Sequence, residues 1–261
     1  MFEVRMTSFD FNSKTALVTG ASGGIGAQIA HRLAEAGAVV AAHCGRNRAA
    51  ADQLVGEIRA NGGKAFVVQA DLRDVAGLPR LYETVTRGFE LETQRPQLDF
   101  LINNAGAGGS RPLMHVTPKH FDEECEILFR GTFFMCQLAC EHLSDGGRIV
   151  NISSNAASSA LPYQAVYAAA KAAVNHLTLS FAQHLGHRGI TVNAVSPGAT
   201  DTALIANLRA RKGFDESVQR LTALGRLGQP DDIASAVMLL LSPEGRWITG
   251  QIVEASGGMS L

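Results

Sequence analysis

Lys14-Thr15-Ala16-Leu17-Val18-Thr19, followed by Gly20-Ala21-Ser22-Gly23-Gly24-Ile25-Gly26, is the stretch on which the fold turns. The first six residues read as a buried strand, the glycines as a tight turn, and about Ile25 to Ala36 as a helix. In such a turn glycine lets the backbone approach a pyrophosphate, and the helix that follows points its positive end at the same anion. A glycine-rich turn also serves as a plain strand-to-helix connection. Its place between a first strand and a first helix is what points to a dinucleotide.

Outward from that stretch the chain alternates. Strands are expected at Ala38 to His43, Ala65 to Ala70, Leu98 to Ile102, Arg148 to Ser154, Ile190 to Val195 and Gly250 to Glu254. Between them lie helical runs at Asn47 to Ala60, Val75 to Phe89, Pro118 to Leu143, a segment through Tyr167 to about His187, and Asp231 to Leu241. This alternation predicts one α/β domain over residues 1–261, a seven-stranded doubly wound parallel sheet flanked by helices, with residues 1–12 as a tail.

Tyr167-Ala168-Ala169-Ala170-Lys171 carries the chemistry. Residues four apart share one helix face, and the run from Ala165 to Val174 is otherwise small and apolar. A free phenol has a pKa of about 10, and bringing it down by about 3 units requires roughly 4 kcal/mol in favour of the phenolate. A positive charge about 4–5 Å away supplies that order of energy at an effective dielectric near 20. Lys171 is therefore expected to lower the pKa of Tyr167. Ser154 ends the strand upstream and offers a hydroxyl to the same region.

Thr19-Gly20-x-x-x-Gly24-x-Gly26, Asn103-Asn104-Ala105-Gly106, Ser154, Tyr167-x-x-x-Lys171 and Pro197-Gly198 occur in this order and at these spacings. The chain so resembles the short-chain dehydrogenase/reductase family from about Ser13 to Met259. The resemblance implies a Rossmann-like fold and hydride transfer between a nicotinamide and a carbonyl or alcohol carbon. It implies Ser154, Tyr167 and Lys171 as catalytic residues. Tyr167 gives the proton, Ser154 holds the substrate oxygen, and Lys171 also binds the nicotinamide ribose. Cofactor contacts carried over by the same motifs are Gly20, Ser22, Gly24, Ile25, Gly26, Asp71, Leu72, Asn104, Ala105, Gly106, Tyr167, Lys171, Pro197, Gly198, Thr200 and Thr202. Asp71 matches the position that meets the adenine, although it also suits a helix cap near Asp74.

The second strand ends in His43-Cys44-Gly45-Arg46, where an acid would bind a ribose 2′-hydroxyl and repel a 2′-phosphate. The missing carboxylate and Arg46 favour NADP(H), with NAD(H) still possible and Arg46 as a solvated helix start the alternative. Gly23 stands where many NADP-preferring relatives carry a basic residue.

Two further features bear on the substrate. Family members place an asparagine on the helix beginning near Pro118 to hold a proton-relay water, and the matching position here is Leu128. Leucine has no donor or acceptor. The segment of about 200–224 corresponds in the family to a substrate lid, and its basic residues Arg209, Arg211, Lys212 and Arg220 would suit an acidic or phosphopantetheine-linked substrate or form a solvated face. Ser154 and Tyr167 are expected beside the substrate, and Tyr163, four before Tyr167, either lines the same pocket or packs beside it. A hydrophobic or acyl-type ketone or secondary alcohol is the substrate class implied. Other readings kept open are a dinucleotide-binding protein without redox chemistry, and a lyase or isomerase using the same tyrosine.

With 46% apolar and 18% charged residues and a net charge of −1, the composition favours neither nucleic acid nor an anionic membrane as partner. The apolar runs are far too short to span a bilayer, and Met1 to Asp10 lacks a secretory core, so a cytoplasmic protein is expected. Cys44, Cys125, Cys136 and Cys140 form no paired ligand spacing and the histidines no cluster, so no metal is expected. The family implies a homodimer or homotetramer built on the helices Pro118 to Leu143 and Tyr163 to His187.

Overall fold

The computed structural model describes residues 9–108 and 110–259, so most of the expected tail at 1–12 lies outside the described residues. The strands are β1 (Thr15–Val18), β2 (Val39–Cys44), β3 (Lys64–Gln69), β4 (Leu98–Asn103), β5 (Leu143–Ile152), β6 (Thr191–Pro197) and β7 (Ile252–Ala255). They form one seven-stranded sheet in the order β3-β2-β1-β4-β5-β6-β7. Every neighbouring pair is parallel. The expected doubly wound α/β architecture is therefore present.

Helices α1 (Gly24–Glu35), α2 (Arg48–Ala60) and α3 (Leu78–Thr93) lie between the first four strands. Helices α4 (Pro118–Cys125) and α5 (Gly131–His142) precede β5, and α6 (Ala165–Leu185) precedes β6. The short α7 (Ala206–Arg209) and α8 (Phe214–Leu221), and then α9 (Pro230–Leu241), separate β6 from β7.

Strand periodicity sorts the core into two layers. Ala16, Val18, Phe100, Ile102 and Val150 pack with α1, α2 and α9 on one face. Their neighbours Leu17, Leu101 and Ile149 pack with α3, α5 and α6 on the other. Strands buried on both faces must be apolar throughout, which is why β1, β2 and β4 read as continuous apolar runs. The buried charged residue among them is Asp99, whose carboxylate accepts from the Thr15 N–H at 3.0 Å and from Lys14 Nζ at 3.2 Å, while Thr15, His43 and Asn103 are the other buried polar residues.

Several boundaries differ from the sequence reading. The helix expected from Val75 to Phe89 begins after a short 3-10 turn, Val75–Gly77, and runs on to Thr93. Asp74 rather than Asp71 caps that turn, accepting from the Gly77 N–H. The helix expected from Pro118 to Leu143 is interrupted by a π-helical turn, Glu126–Arg130. Periodicity does not reveal one inserted residue, because the apolar face on either side still fits a helical repeat. β5 starts at Leu143, earlier than expected, through the Gly146-Gly147 turn region.

His43 closes the ends of the first three strands. Its Nδ1 accepts from the Gly20 N–H at 3.2 Å, so Nε2 carries the proton and donates to the Ala70 carbonyl at 3.0 Å. Only the neutral ring makes both bonds. Burial at 1% exposure lowers its pKa to about 4. The unfolded chain takes up this proton near pH 6.5, so the folded state loses stability as pH falls from about 6.5 toward 4. The expected loss from this one residue is about 3 kcal/mol. Urea unfolding of wild type and His43→Asn at pH 7 and pH 4 measures it: the variant is expected to show a shallower pH dependence, and equal slopes would contradict the assignment.

Candidate active site

Parallel strands present their carboxyl ends together, and the strand order reverses between β1 and β4. At that seam Thr19 Oγ1 accepts from the backbone N–H groups of both Asn104 and Ala105, each at 2.9 Å. Asn104 Nδ2 donates back to the carbonyls of Thr19 at 2.9 Å and Gly20 at 3.2 Å. Asn104 and Ala105 are thus brought beside the glycine turn, as the sequence implies, and Asn104 holds that turn in shape.

The turn has the form of an anion cradle. Gly20 sits at φ +66, and a Cβ there would lie 2.8 Å from Ala105 Cα. A Cβ on Gly26 would lie 2.4 Å from Asn104 Nδ2 and 2.5 Å from the Gly20 carbonyl oxygen. By contrast a Cβ on Gly23 would meet nothing within 4 Å, so the mouth of the turn is open. Helix α1 begins there with no side-chain cap and no acid in its first turn, leaving its N–H groups and positive end for an anion. These features fit a dinucleotide pyrophosphate. Ser22 lies at the same mouth and is half-buried, and Ile25 is half-buried against the core. Thr202 reaches across from the loop after β6, its Cγ2 3.2 Å from where a Gly24 Cβ would stand.

At the adenosine end, Arg48 pairs with Asp52 at 3.0 Å. Arg46 is exposed, with no ion pair among the described residues, and its charge reaches the Asp71 carboxylate. Asp71 is held by Arg73 through Nη2 at 2.6 Å, and that contact keeps its pKa low. Leu72 turns its side chain into the core, so only its backbone is available to a ligand.

The second half of the site stands at the end of β5. Ser154 is extended, and its hydroxyl accepts from the Ala156 N–H at 3.2 Å. Tyr167 lies in the first turn of α6, and Lys171 one turn on. The Lys171 ammonium is buried and donates to the Ile152 carbonyl at 2.7 Å. Its Nζ is 5.9 Å from the centre of the Tyr167 ring. The structure brings Ser154, Tyr167 and Lys171 together.

Their electrostatics differ from the sequence reading. Burial pushes the Tyr167 phenol up, the Ser154 side chain pulls it down, and the negative charge of Glu124 adds to the rise. Lys171 is itself lowered to about 8 by burial. The expected depression of Tyr167 by Lys171 is therefore not what this arrangement produces. Desolvating the phenol outweighs the help it receives, and the ammonium is oriented on a carbonyl instead.

Around this centre, Pro197 ends β6, and Gly198 approaches Ser256 closely enough that a Cβ would lie 3.0 Å from its Cα. Thr200 is buried and donates to the Gly198 carbonyl at 3.0 Å. Gly106 faces Leu128, whose Cδ2 would lie 3.1 Å from a Cβ there. Tyr163 is exposed, and its carbonyl accepts from the Arg111 N–H at 2.7 Å, tying the two loops together. In the expected lid, Leu204 packs on Gly108. Arg209 there is bound between Asp201 at 2.5 Å and Asp215 at 2.9 Å. That latch corrects the idea that this arginine waits for an acidic substrate.

Sequence reasoning missed the Thr19 hydroxyl, the His43 strut, and the pairing of half-buried His120 with buried Glu124 on α4. Only the i, i+4 spacing of the last is visible in the sequence. Among the described residues no helix is long and apolar enough to cross a membrane.

Comparison with known proteins adds to this geometry. A family profile described as enoyl-(acyl carrier protein) reductase matches residues 20–260. An uncharacterized oxidoreductase of Methylorubrum extorquens is 40% identical over 251 residues, covering 94% of this chain and 97% of the relative. A versicolorin reductase of Emericella nidulans is 36% identical over 262 residues, covering 96% and 97%. The solved structure of angucycline C-6 ketoreductase LanV with bound NADP superposes with a TM-score of 0.90 at 40% identity, covering 96% of this chain and 97% of that one. A short-chain dehydrogenase from Burkholderia cenocepacia in complex with NADP gives 0.87 at 37% identity, covering 95% and 98%. With its parallel sheet, glycine cradle and serine–tyrosine–lysine cluster, the chain belongs to the short-chain dehydrogenase/reductase family, NAD(P)-dependent oxidoreductases acting on C=O and CH–OH groups.

Proposed function

We propose that this protein is an NADPH-preferring ketoreductase for hydrophobic, fused-ring or acyl-type ketones, working through Ser154, Tyr167 and Lys171. The observation that carries the reading is the convergence of two hydroxyls, Ser154 and Tyr167, above a buried ammonium at the carboxyl end of β5. Two hydroxyls aimed at one region suit a single oxygen that gains negative charge, as a carbonyl oxygen does on reduction.

The reduced nicotinamide, when bound, supplies the hydride. The glycine turn and the first turn of α1 hold the pyrophosphate, and Asn104, Ala105 and Gly106 border the ribose side. Pro197, Gly198, Thr200 and Thr202 border the nicotinamide. Ser154 positions the carbonyl oxygen, and Tyr167 gives its proton to the alkoxide. A raised phenol pKa suits this direction, because Tyr167 is fully protonated at neutral pH and ready to donate. Lys171, cationic below about 8, steadies the phenolate left behind.

Preference for NADPH rests on Arg46, free of any ion pair among the described residues at the end of β2, where no carboxylate stands to repel a 2′-phosphate. Bound NADP or NADPH in structural relatives supports the same preference. The substrate class follows the relatives named as versicolorin, hydroxynaphthalene and angucycline reductases, one of them solved with rabelomycin. It also follows the exposed apolar residues over the site, Leu113, Met114, Leu161, Tyr163 and Leu204. Residues 200–224 act as the lid of the single domain.

Three outcomes are expected. Tyr167→Phe lowers turnover of NADPH with fused-ring ketones such as 2-tetralone by about 100-fold or more, while NADPH binding by fluorescence persists; retained turnover would remove Tyr167 as the acid. Arg46→Gln weakens NADPH about tenfold or more and leaves NADH unchanged in the same titration. The kcat/KM for NADPH is level below pH 8 and falls above it, as the free enzyme's Lys171 loses its charge near 8.

A further inference from the structure

Helix α4 carries a buried acid to which the chemistry above gives no task. Glu124 is 7% exposed, and His120 Nε2 lies 3.6 Å from Glu124 Oε1. Glu124 Oε1 and His120 Nδ1 are both buried without a hydrogen-bond partner among the described residues. Two such atoms one helical turn apart are costly unless they exchange protons or hold water. Helix α4 packs against α6, which bears Tyr167. The charge of Glu124 is felt at the Tyr167 phenol, although no hydrogen bond joins the two among the described residues.

The groups facing Glu124 are His120 on its own helix, Arg111 from the preceding loop, and Tyr167 from α6. His120 and Arg111 favour the carboxylate, but burial prevails and pushes the Glu124 carboxyl up, toward the protonated form. One turn further along the chain, in the π-helical turn Glu126–Arg130, Leu128 is 1% exposed and fills the space against Gly106 with methyl groups. No polar side chain serves the phenol from that position.

We propose that Glu124, backed by His120, returns to Tyr167 the proton it gives up in each reduction. The proposal rests on Tyr167 being the acid. As the carbonyl carbon gains hydride, the C=O π pair becomes a lone pair on oxygen. The Tyr167 O–H bond then breaks and the alcohol O–H bond forms. The phenolate next takes up a proton passed from the Glu124 carboxyl through an intervening water, and the carboxylate is reprotonated from solvent by way of His120, the more exposed of the pair. One proton enters from water for each hydride delivered, so charge and atoms balance.

Glu124→Gln keeps the shape and removes the proton. With NADPH and the ketone that wild type reduces, it is expected to lower kcat about tenfold to 100-fold with KM and NADPH affinity within about twofold. A larger solvent deuterium isotope effect and partial rescue by added formate are expected with it. In tyrosine labelled with ¹³C at Cζ, the Tyr167 titration of the free protein moves to lower pH, because the nearby negative charge is gone. Unchanged kcat and an unchanged tyrosine titration would overturn the proposal. If Glu124→Gln does not fold by circular dichroism, His120→Gln and Glu124→Asp are read the same way, the first expected to slow turnover and the second to keep it. Tyr167→Phe runs alongside: turnover surviving that change sinks the reading of Tyr167, whereas its loss beside a normal Glu124→Gln sinks only the relay.

Discussion

The seam between β1 and β4 is where the ligand site and the sheet meet, and both are shaped by the same few hydrogen bonds. Two parallel strands diverge there because their following helices leave on opposite faces, and the gap is where a ligand enters. Left alone, the ends of these strands would expose unpaired backbone groups. The Thr19 hydroxyl and the Asn104 amide satisfy them by binding each other's backbone, and His43 fastens the same turn to the ends of β2 and β3. Gly26 must lack a side chain because Asn104 occupies that space. One set of hydrogen bonds therefore shapes the cradle and holds the sheet closed beneath it.

The side bearing Tyr167 and Lys171 obeys a second constraint, the cost of burying charge. Lys171 is taken out of water and is compensated mainly by one carbonyl, so its proton is held less tightly than usual. The Tyr167 phenol is buried beside it and resists ionisation. Both shifts make the pair responsive: small changes in neighbouring charge, including the binding of a ligand, alter which group holds the proton. Glu124 is one such neighbour, already coupled to the phenol before any ligand arrives.

Helices α4 and α5 show how local sequence and tertiary demand divide the work. The apolar spacing from Pro118 to Leu143 suffices to read a helix, and the helix is there. The π-turn at Glu126–Arg130 is not legible in that spacing. Gly131 packs so tightly that a Cβ would lie 2.9 Å from the Leu72 carbonyl, so contacts from another element fix the helix path at this point. The lid shows the same division. Its basic residues suggest a solvated or ligand-facing surface, yet Arg209 is engaged by two aspartates from its own neighbourhood.

The resemblance to a family pattern singles out Ser154, Tyr167 and Lys171 as a set, whereas local sequence suffices for the order of strands and helices, the glycine turn and the shared helix face of Tyr167 and Lys171. These rest on periodicity, on backbone conformations only glycine adopts freely, and on spacing along one helix, all of which are local properties. The direction of the Tyr167 shift, the neutral tautomer of His43, the Asp71–Arg73 pairing and the approach of Glu124 to the phenol emerge only on folding. Each depends on how much water is excluded and which charge arrives from elsewhere in the chain. Burial and long-range charge are properties of the assembled fold, and no spacing in the sequence encodes them directly.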